Sequence, residues 1–391
     1  MSLTDLVSQP TYRATRGRVP IFRPLLNGEE FDITVSEAAF LLAPSTHDMA
    51  ILSCSSPTLT TTDGLLDSTI SFYYGQAPRT ELFTGYITKV SVDKAGKGNL
   101  TFGLVLLGST RPMQKGRPRF WRRKTVPSTV EALSYSNGLG YLGHDHTHLW
   151  EAIAQTSESD WQMAVSLSSR LGWLLFNRYG VVLCYDPAVL MRDSGAYAKL
   201  VSTETNQDFN VSNDRHLIEF NPAESSDDAP ENMGSQVAYF TDSGDLQVAK
   251  ERGEFDSYRF VSAILRSTEE AEIYINSGKS KATDWNQRAE ARIWGDADIY
   301  PGMLVDVVTA NRAYYREKFD GRWMVIAASH KMDVQQFQTQ LQLARPESKT
   351  QISQTPYVNF WTEAGKARPT LSIQDGAWIS SWTDPRLRSV L

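Results

Sequence analysis

The chain has 391 residues, 41% hydrophobic and 21% charged, with a net charge of −6. That length predicts two to four domains rather than one small core, and the acidic balance argues against a general nucleic-acid binder. No apolar run approaches the ~18–20 residues of a membrane helix, so stable membrane insertion is not expected.

The opening residues, MSLTDLVSQPTYRATRGRVP, lack the apolar core of a signal peptide, so export by that route is not expected. Residues 1–17 read as a polar N-terminal arm. From 18 to 110 strand follows strand: FDITVSEAAF, MAILSCSS, STISFYYG, TELFTGYITKVSVD and NLTFGLVLLG, with a hairpin tip at Asp93–Gly98. These runs are rich in β-branched and aromatic residues and predict a small barrel or sandwich. Cys54 and Cys184 lie in apolar strand-like runs and are expected as buried free thiols, which suits a reducing cytoplasm.

The texture changes at Arg111–Lys124, which holds seven basic residues and two prolines. Thr125 is a candidate N-cap with Pro127 in the first turn. A Gly-rich turn and a strand of alternating histidines follow. Ser159 with Gln162 then forms a capping box, and Trp161, Ala164, Val165, Ser168 and Leu171 recur at helical spacing up to Gly172. WLLFNRYGVVLCYDP reads as a hairpin. Residues 111–200 are therefore an inserted α+β domain.

Residues 201–345 read as a second β-barrel with an α+β flank. RHLIEF is a strand, VAYFTDSGDLQV a hairpin, and Ser267 with Glu270 a second capping box opening a short helix. The stretch 285–345 is the most regular part: a strand, a Tyr300-Pro301-Gly302 turn of type II character, and a closing hairpin. In its last strand Gln336, Gln338, Gln340 and Gln342 occupy one face, while Phe337, Thr339, Leu341 and Leu343 occupy the other. That period of two marks one wet and one buried face. The hairpins beginning at Gly85 and Gly321 are alike, a hint of duplication. Residues 346–391 combine prolines with Trp361, Trp378 and Trp382 and are expected as an extended docking arm.

Few residues suggest chemistry. Gly138-Leu-Gly140-Tyr-Leu-Gly143 matches the dinucleotide fingerprint, but a helix precedes it and a strand follows, the reverse of what pyrophosphate binding requires. His144, His146 and His148 on one strand face could share a metal ion, or could simply be a polar strand edge. Asp296 and Asp298, Glu269 and Glu270, and Asp227 and Asp228 are carboxylate pairs of the sort a hydrolase uses, all in turns or at helix starts, where carboxylates are favoured anyway. The basic run with Phe120 and Trp121 could bind phosphate and stack on bases, or pair with acidic neighbours. No P-loop, HExxH, GxSxG or CxxC pair occurs, so no enzyme activity and no cofactor are expected.

Three stretches together resemble the baseplate hub proteins of phage tails, the family of late control protein D and of the N-terminal hub region of type VI secretion spike proteins (VgrG). They are Gln155-Thr-Ser-Glu-Ser-Asp-Trp161 with Leu171-Gly172-Trp173, then Trp121-Arg-Arg-Lys-Thr125, then Tyr300-Pro301-Gly302 with Gly321-Arg-Trp323, Ser329-His330 and Phe337-Gln-Thr-Gln-Leu341. The resemblance spans roughly residues 15–345. It implies a mainly β fold with α+β insertions, in which two related β-barrels assemble as a homotrimer. Six barrels then form a pseudo-six-fold ring joining the tail tube protein to a tail tip spike or fibre. Other baseplate proteins and the tape measure protein are further implied partners. DNA would pass through the lumen without specific binding, and the protein would reside in the virion after assembly in the host cytoplasm. Gln336, Gln338, Gln340 and Gln342 would then line the lumen or meet the next barrel. The alternatives are a tail-associated carbohydrate- or wall-binding protein or hydrolase, and a hub of a type VI or extracellular contractile injection system.

Overall fold

A computed structural model describes residues 22–74, 80–95, 100–193, 195–202, 214–223, 233–241, 243–250, 255–262, 265–283, 287–309, 318–333, 336–345, 370–374 and 377–381. The N-terminal strands are β1 (Phe22–Leu26), β2 (Glu29–Glu30), β3 (Thr34–Leu42), β4 (Met49–Ser56), β5 (Thr69–Tyr74), β6 (Thr80–Ala95) and β7 (Leu100–Gly108). Next come β8 (Arg119–Lys124), α1 (Val126–Tyr135), β9 (Gly140–Gly143), β10 (Trp150–Gln155), α2 (Asp160–Arg170), β11 (Leu174–Arg178), β12 (Val181–Tyr185), α3 (Pro187–Asp193) and β13 (Ala198–Ser202). The remainder comprises β14 (Asp214–Ala223), β15 (Met233–Phe240), β16 (Leu246–Lys250), β17 (Phe255–Ser262), α4 (Thr268–Thr283), β18 (Gln287–Trp294), β19 (Leu304–Val308), β20 (Gly321–Met332), β21 (Phe337–Arg345), β22 (Thr370–Gln374) and β23 (Ala377–Ser381).

Six strands close a barrel in the order β19-β13-β14-β18-β21-β20, with β19 pairing back onto β20. Here β13 runs parallel to both β14 and β19, and the other neighbours are antiparallel. Closure leaves these strands without a free edge. The Tyr300-Pro301-Gly302 turn is present: Gly302 has φ 87°, and the Met303 amide donates to the Tyr300 carbonyl at 3.2 Å.

The N-terminal strands extend from this barrel as β3-β4-β7-β6-β5-β1-β2, because β20 pairs with β19 over Gly321–Met324 and continues past it to pair with β3 over Ala328–Met332. Four strand spacings separate β3 from β5, ~19 Å on a flat sheet. Phe40 on β3 nevertheless meets Phe72 on β5 with ring centroids 5.7 Å apart. The sheet is therefore strongly curled around Phe40, Phe72, Phe83, Phe102 and Leu104, all buried. These side chains are continuous with the barrel core around Trp323, Leu341 and Leu343.

A second core belongs to the α+β part. It gathers Val130 and Leu133 of α1, Met163, Ala164 and Leu167 of α2, and Val182 and Cys184 of β12. Val237 and Tyr239 of β15 and Ala271 and Ile275 of α4 join the same core from far along the chain. Its elements begin where local chemistry directs. Thr125 caps α1 by accepting from the Ser128 amide, and the Ser159–Gln162 capping box opens α2 with both reciprocal bonds formed. Gly172 (φ 73°) ends α2, and the Gly172 and Trp173 amides return to the Ser169 and Ser168 carbonyls. Tyr179 and Gly180, both at positive φ, make the tight β11–β12 turn.

Two expectations need correction. The histidine segment is no strand: β9 ends at Gly143, and regular structure resumes at Trp150. The His144 amide donates to the Cys184 carbonyl (3.0 Å), the His148 amide donates to His146 Nδ1 (3.2 Å), and His144 Nδ1 accepts from the Asp186 amide (3.0 Å). The helix after Ser267 is not short, running Thr268–Thr283. Ser267 does accept from the Glu270 amide, but the Glu270 carboxylate is spent on the Arg266 and Glu151 amides.

Candidate assembly surfaces and buried charge clusters

Strand β21 alternates as its sequence demands. Phe337, Thr339, Leu341 and Leu343 are buried, while Gln340 and Gln342 are exposed and Gln338 is half-exposed. Gln336 sits just before the strand, held by its amide to Asp333 (2.8 Å), and its Oε1 accepts from Gln338 Nε2 (2.9 Å). The glutamines thus form one outward ladder.

Directly opposed residues in a sheet share a face, so register extends this ladder sideways. Gln340 stands opposite Ser329, Ser329 opposite Leu41, Leu41 opposite Met49, and Met49 opposite Leu107. One row along, Gln338, Lys331, Ala39, Ile51 and Val105 are successively opposed. The outer face therefore changes from amide-rich on the barrel to apolar on the curled sheet. Leu41 is 39% exposed and Ile51 47%. The sequence reading missed this apolar half. Its signal lay in MAIL and LVLL, which are apolar at every position; uninterrupted apolar strands are those covered on both faces.

The resemblance motifs turn out to be structural ties. Gln155 Nε2 donates to the Glu158 carbonyl (3.1 Å) and to Asp160 Oδ1 (2.7 Å). Asp160, buried, also accepts from Arg119 (3.0 Å) and Asn137 (2.7 Å), binding β10, β8, α1 and α2 together. Trp161 stacks on His47 at 5.1 Å, fixing this part to the N-terminal sheet. His330 is fully buried inside the barrel, with Nδ1 3.0 Å from Thr339 Oγ1, and burial lowers it to about 4.

A charged cluster fills the junction of barrel, curled sheet and β11. Arg178, buried, lies between the rings of Tyr300 (3.7 Å) and Tyr179 (4.4 Å). The Tyr300 hydroxyl donates to the Leu82 carbonyl of β6. Asn177 donates to Asp48 (3.3 Å) and accepts from Ser109 (3.1 Å). Burial pushes Asp48 up to about 8, against that hydrogen bond and the charge of Arg178. Asp296 pairs with Arg215, both buried. Burial and then Asp296 raise Asp298 to about 6, against Arg178 and Arg215. Asp48 and Asp296 are thus tied to Asn177 and Arg215, and a small cleft beside Asp48 is lined by Ser109, Asn177, Arg178 and Tyr300.

The remaining sequence candidates are dispersed. Rings of His146 and His148 lie 6.5 Å apart; His144 packs on Tyr185 (4.7 Å), and His148 Nδ1 meets Glu269 (3.0 Å). Among the described residues no group of three or more His, Cys, Asp or Glu is placed to hold a metal ion. Of the basic run, Arg111 pairs with Asp67 and Arg119 with Asp160, while Arg122 lies over the exposed Phe120 (5.5 Å). Gly138 (φ 71°) ends α1 and Gly140 opens β9, so the glycine fingerprint is a helix terminus. Cys54 and Cys184 are buried and free. No described helix is long and apolar enough to cross a membrane. Trp361, Trp382, Asp227 and Asp228 lie outside the described residues; Trp378 stands opposite Ile373 in the β22–β23 hairpin.

Neither a protein-family profile nor a curated relative matches the sequence. Solved structures do. The tail protein of Neisseria meningitidis MC58 superposes with a TM-score of 0.64 at 12% identity, covering 84% of this chain and 97% of the other. The 43 kDa tail protein of prophage MuSo2 from Shewanella oneidensis gives 0.62 at 11%, covering 85% and 100%. The E. coli c3393 protein, a component of the type VI secretion system, gives 0.54 at 13%, covering 84% and 77%. The chain therefore has the fold of these two tail proteins, a fold that the type VI secretion component shares.

Proposed function

We propose that this chain is a structural hub of a phage tail. The observation that carries the reading is an outer sheet face running unbroken from a closed barrel onto a second curled sheet, within a fold that spans nearly the whole of two tail proteins. Three copies supply three barrels and three curled sheets, and these six units form the pseudo-six-fold ring that meets a hexameric tail tube. The hub then joins the tube to the tip spike or fibres, contacts the tape measure protein, and leaves a channel for DNA. The Gln336–Gln342 ladder suits either a lumen wall or a contact with the next barrel, being polar yet uncharged. It acts in the virion tail after assembly in the host cytoplasm, by geometry rather than catalysis: the Asp296 and Glu270 carboxylates are occupied in holding the fold. A hub of a type VI or extracellular contractile apparatus is the second reading, favoured by the likeness to the E. coli c3393 protein. Mass photometry of the purified chain, alone and with its tube protein, tests the assembly; the reading expects trimers that cap tube rings.

A further inference from the structure

We propose that the apolar strip on the outer face of the curled sheet receives the C-terminal arm of a second copy of this chain, seated through the β22–β23 hairpin. The inference rests on the multi-copy assembly proposed above. Leu41, Met49, Ile51, Val105 and Leu107 occupy adjacent positions on β3, β4 and β7. Charge returns at the margins, with Lys89 opposite Val105, Lys331 opposite Ala39, and Glu37 two residues along β3 from Ala39. Inner residues Ala50, Leu52, Leu104 and Leu106 are already buried in the core, so the outer residues are surplus to packing among the described residues.

The arm has the matching chemistry. Its hairpin, TLSIQ returning as AWISS, places Ile373 opposite Trp378 and Leu371 opposite Ser380. A lone two-stranded hairpin is marginal in water and needs an apolar surface to rest on. The length of the connection points to a neighbour. The arm leaves the sheet at Arg345, two strands from β3 and five residues along β21 from Gln340, which shares the row of Leu41, so it starts ~20 Å from the strip. Residues 346–369 can span up to ~80 Å at roughly 3.3 Å per residue, far more than docking on the same copy requires.

The test uses full-length chains. Ile51→Cys in one and Trp378→Cys in another, distinguished by a mass tag, are co-assembled and mildly oxidised; the native thiols are buried and do not compete. A mixed disulfide between the two chains, found by gel and peptide mass spectrometry, is the expected result. A disulfide formed only within a chain carrying both substitutions would overturn the proposal in favour of self-docking, and no disulfide in an intact assembly would overturn it outright. A chain that stays monomeric would remove the assembly reading itself, so the two failures are distinguishable. Should Ile51→Cys melt early, Leu41→Cys on the adjoining strand repeats the measurement.

Discussion

Asp48 and His330 show how single buried groups tune this fold in opposite directions. Asp48 stays protonated in the folded chain up to about pH 8, whereas its ordinary value is 3.8. Between those limits the unfolded chain releases a proton that the folded chain keeps. Stability is therefore full below ~pH 4 and falls as pH rises, by up to about 1.4 kcal/mol per unit. Asp48→Asn removes that loss while retaining a hydrogen-bonding side chain beside Asn177. Urea melts should show the variant gaining on the parent more at pH 8 than at pH 5; equal differences would contradict a neutral Asp48. His330 is held neutral, lowered from 6.5 to about 4, so its contribution is present above pH 6.5 and lost as pH falls toward 4.

At the level of elements, local chemistry wrote itself plainly into the sequence. The β21 alternation and the α2 capping box each depend on residues a few positions apart, and both formed as read. Ser159→Ala should destabilise the chain by about 1 kcal/mol, measurable as a lower urea midpoint, with Ser159→Asp largely preserving the parent value. The histidine segment misled because period two is also compatible with a ring nitrogen capturing the amide two residues on, as His146 does for His148, which side-chain type alone does not decide. The parallel β13–β19 pairing was invisible for another reason: it joins segments far apart in the chain, and no local pattern encodes the partner. The glutamine ladder offers the element-scale test of assembly. Lys at Gln338, Gln340 and Gln342 leaves the barrel core untouched, so the melting midpoint should hold while ring formation or DNA passage falls. Unchanged particle yield and infectivity would make the ladder an ordinary solvent face.

The whole molecule has two cores that meet at a charged junction, and one sheet that runs through both all-β halves. Arg178, Tyr300 and Asp48 come from three different segments, so the halves and the insert are tied as one body where they meet. That arrangement suits a part whose task is to hold a fixed angle between neighbours. What the sequence withheld at this scale was the partner: MAIL and LVLL announce cover on both faces, and the described residues supply only one. Copies of the chain are proposed to build a ring. Cryo-electron microscopy of the full-length protein with its tube protein tests it most directly. The account predicts three copies forming a six-lobed ring, each contributing the closed barrel and the curled sheet as adjacent lobes. A strict monomer that never joins the tube would contradict it.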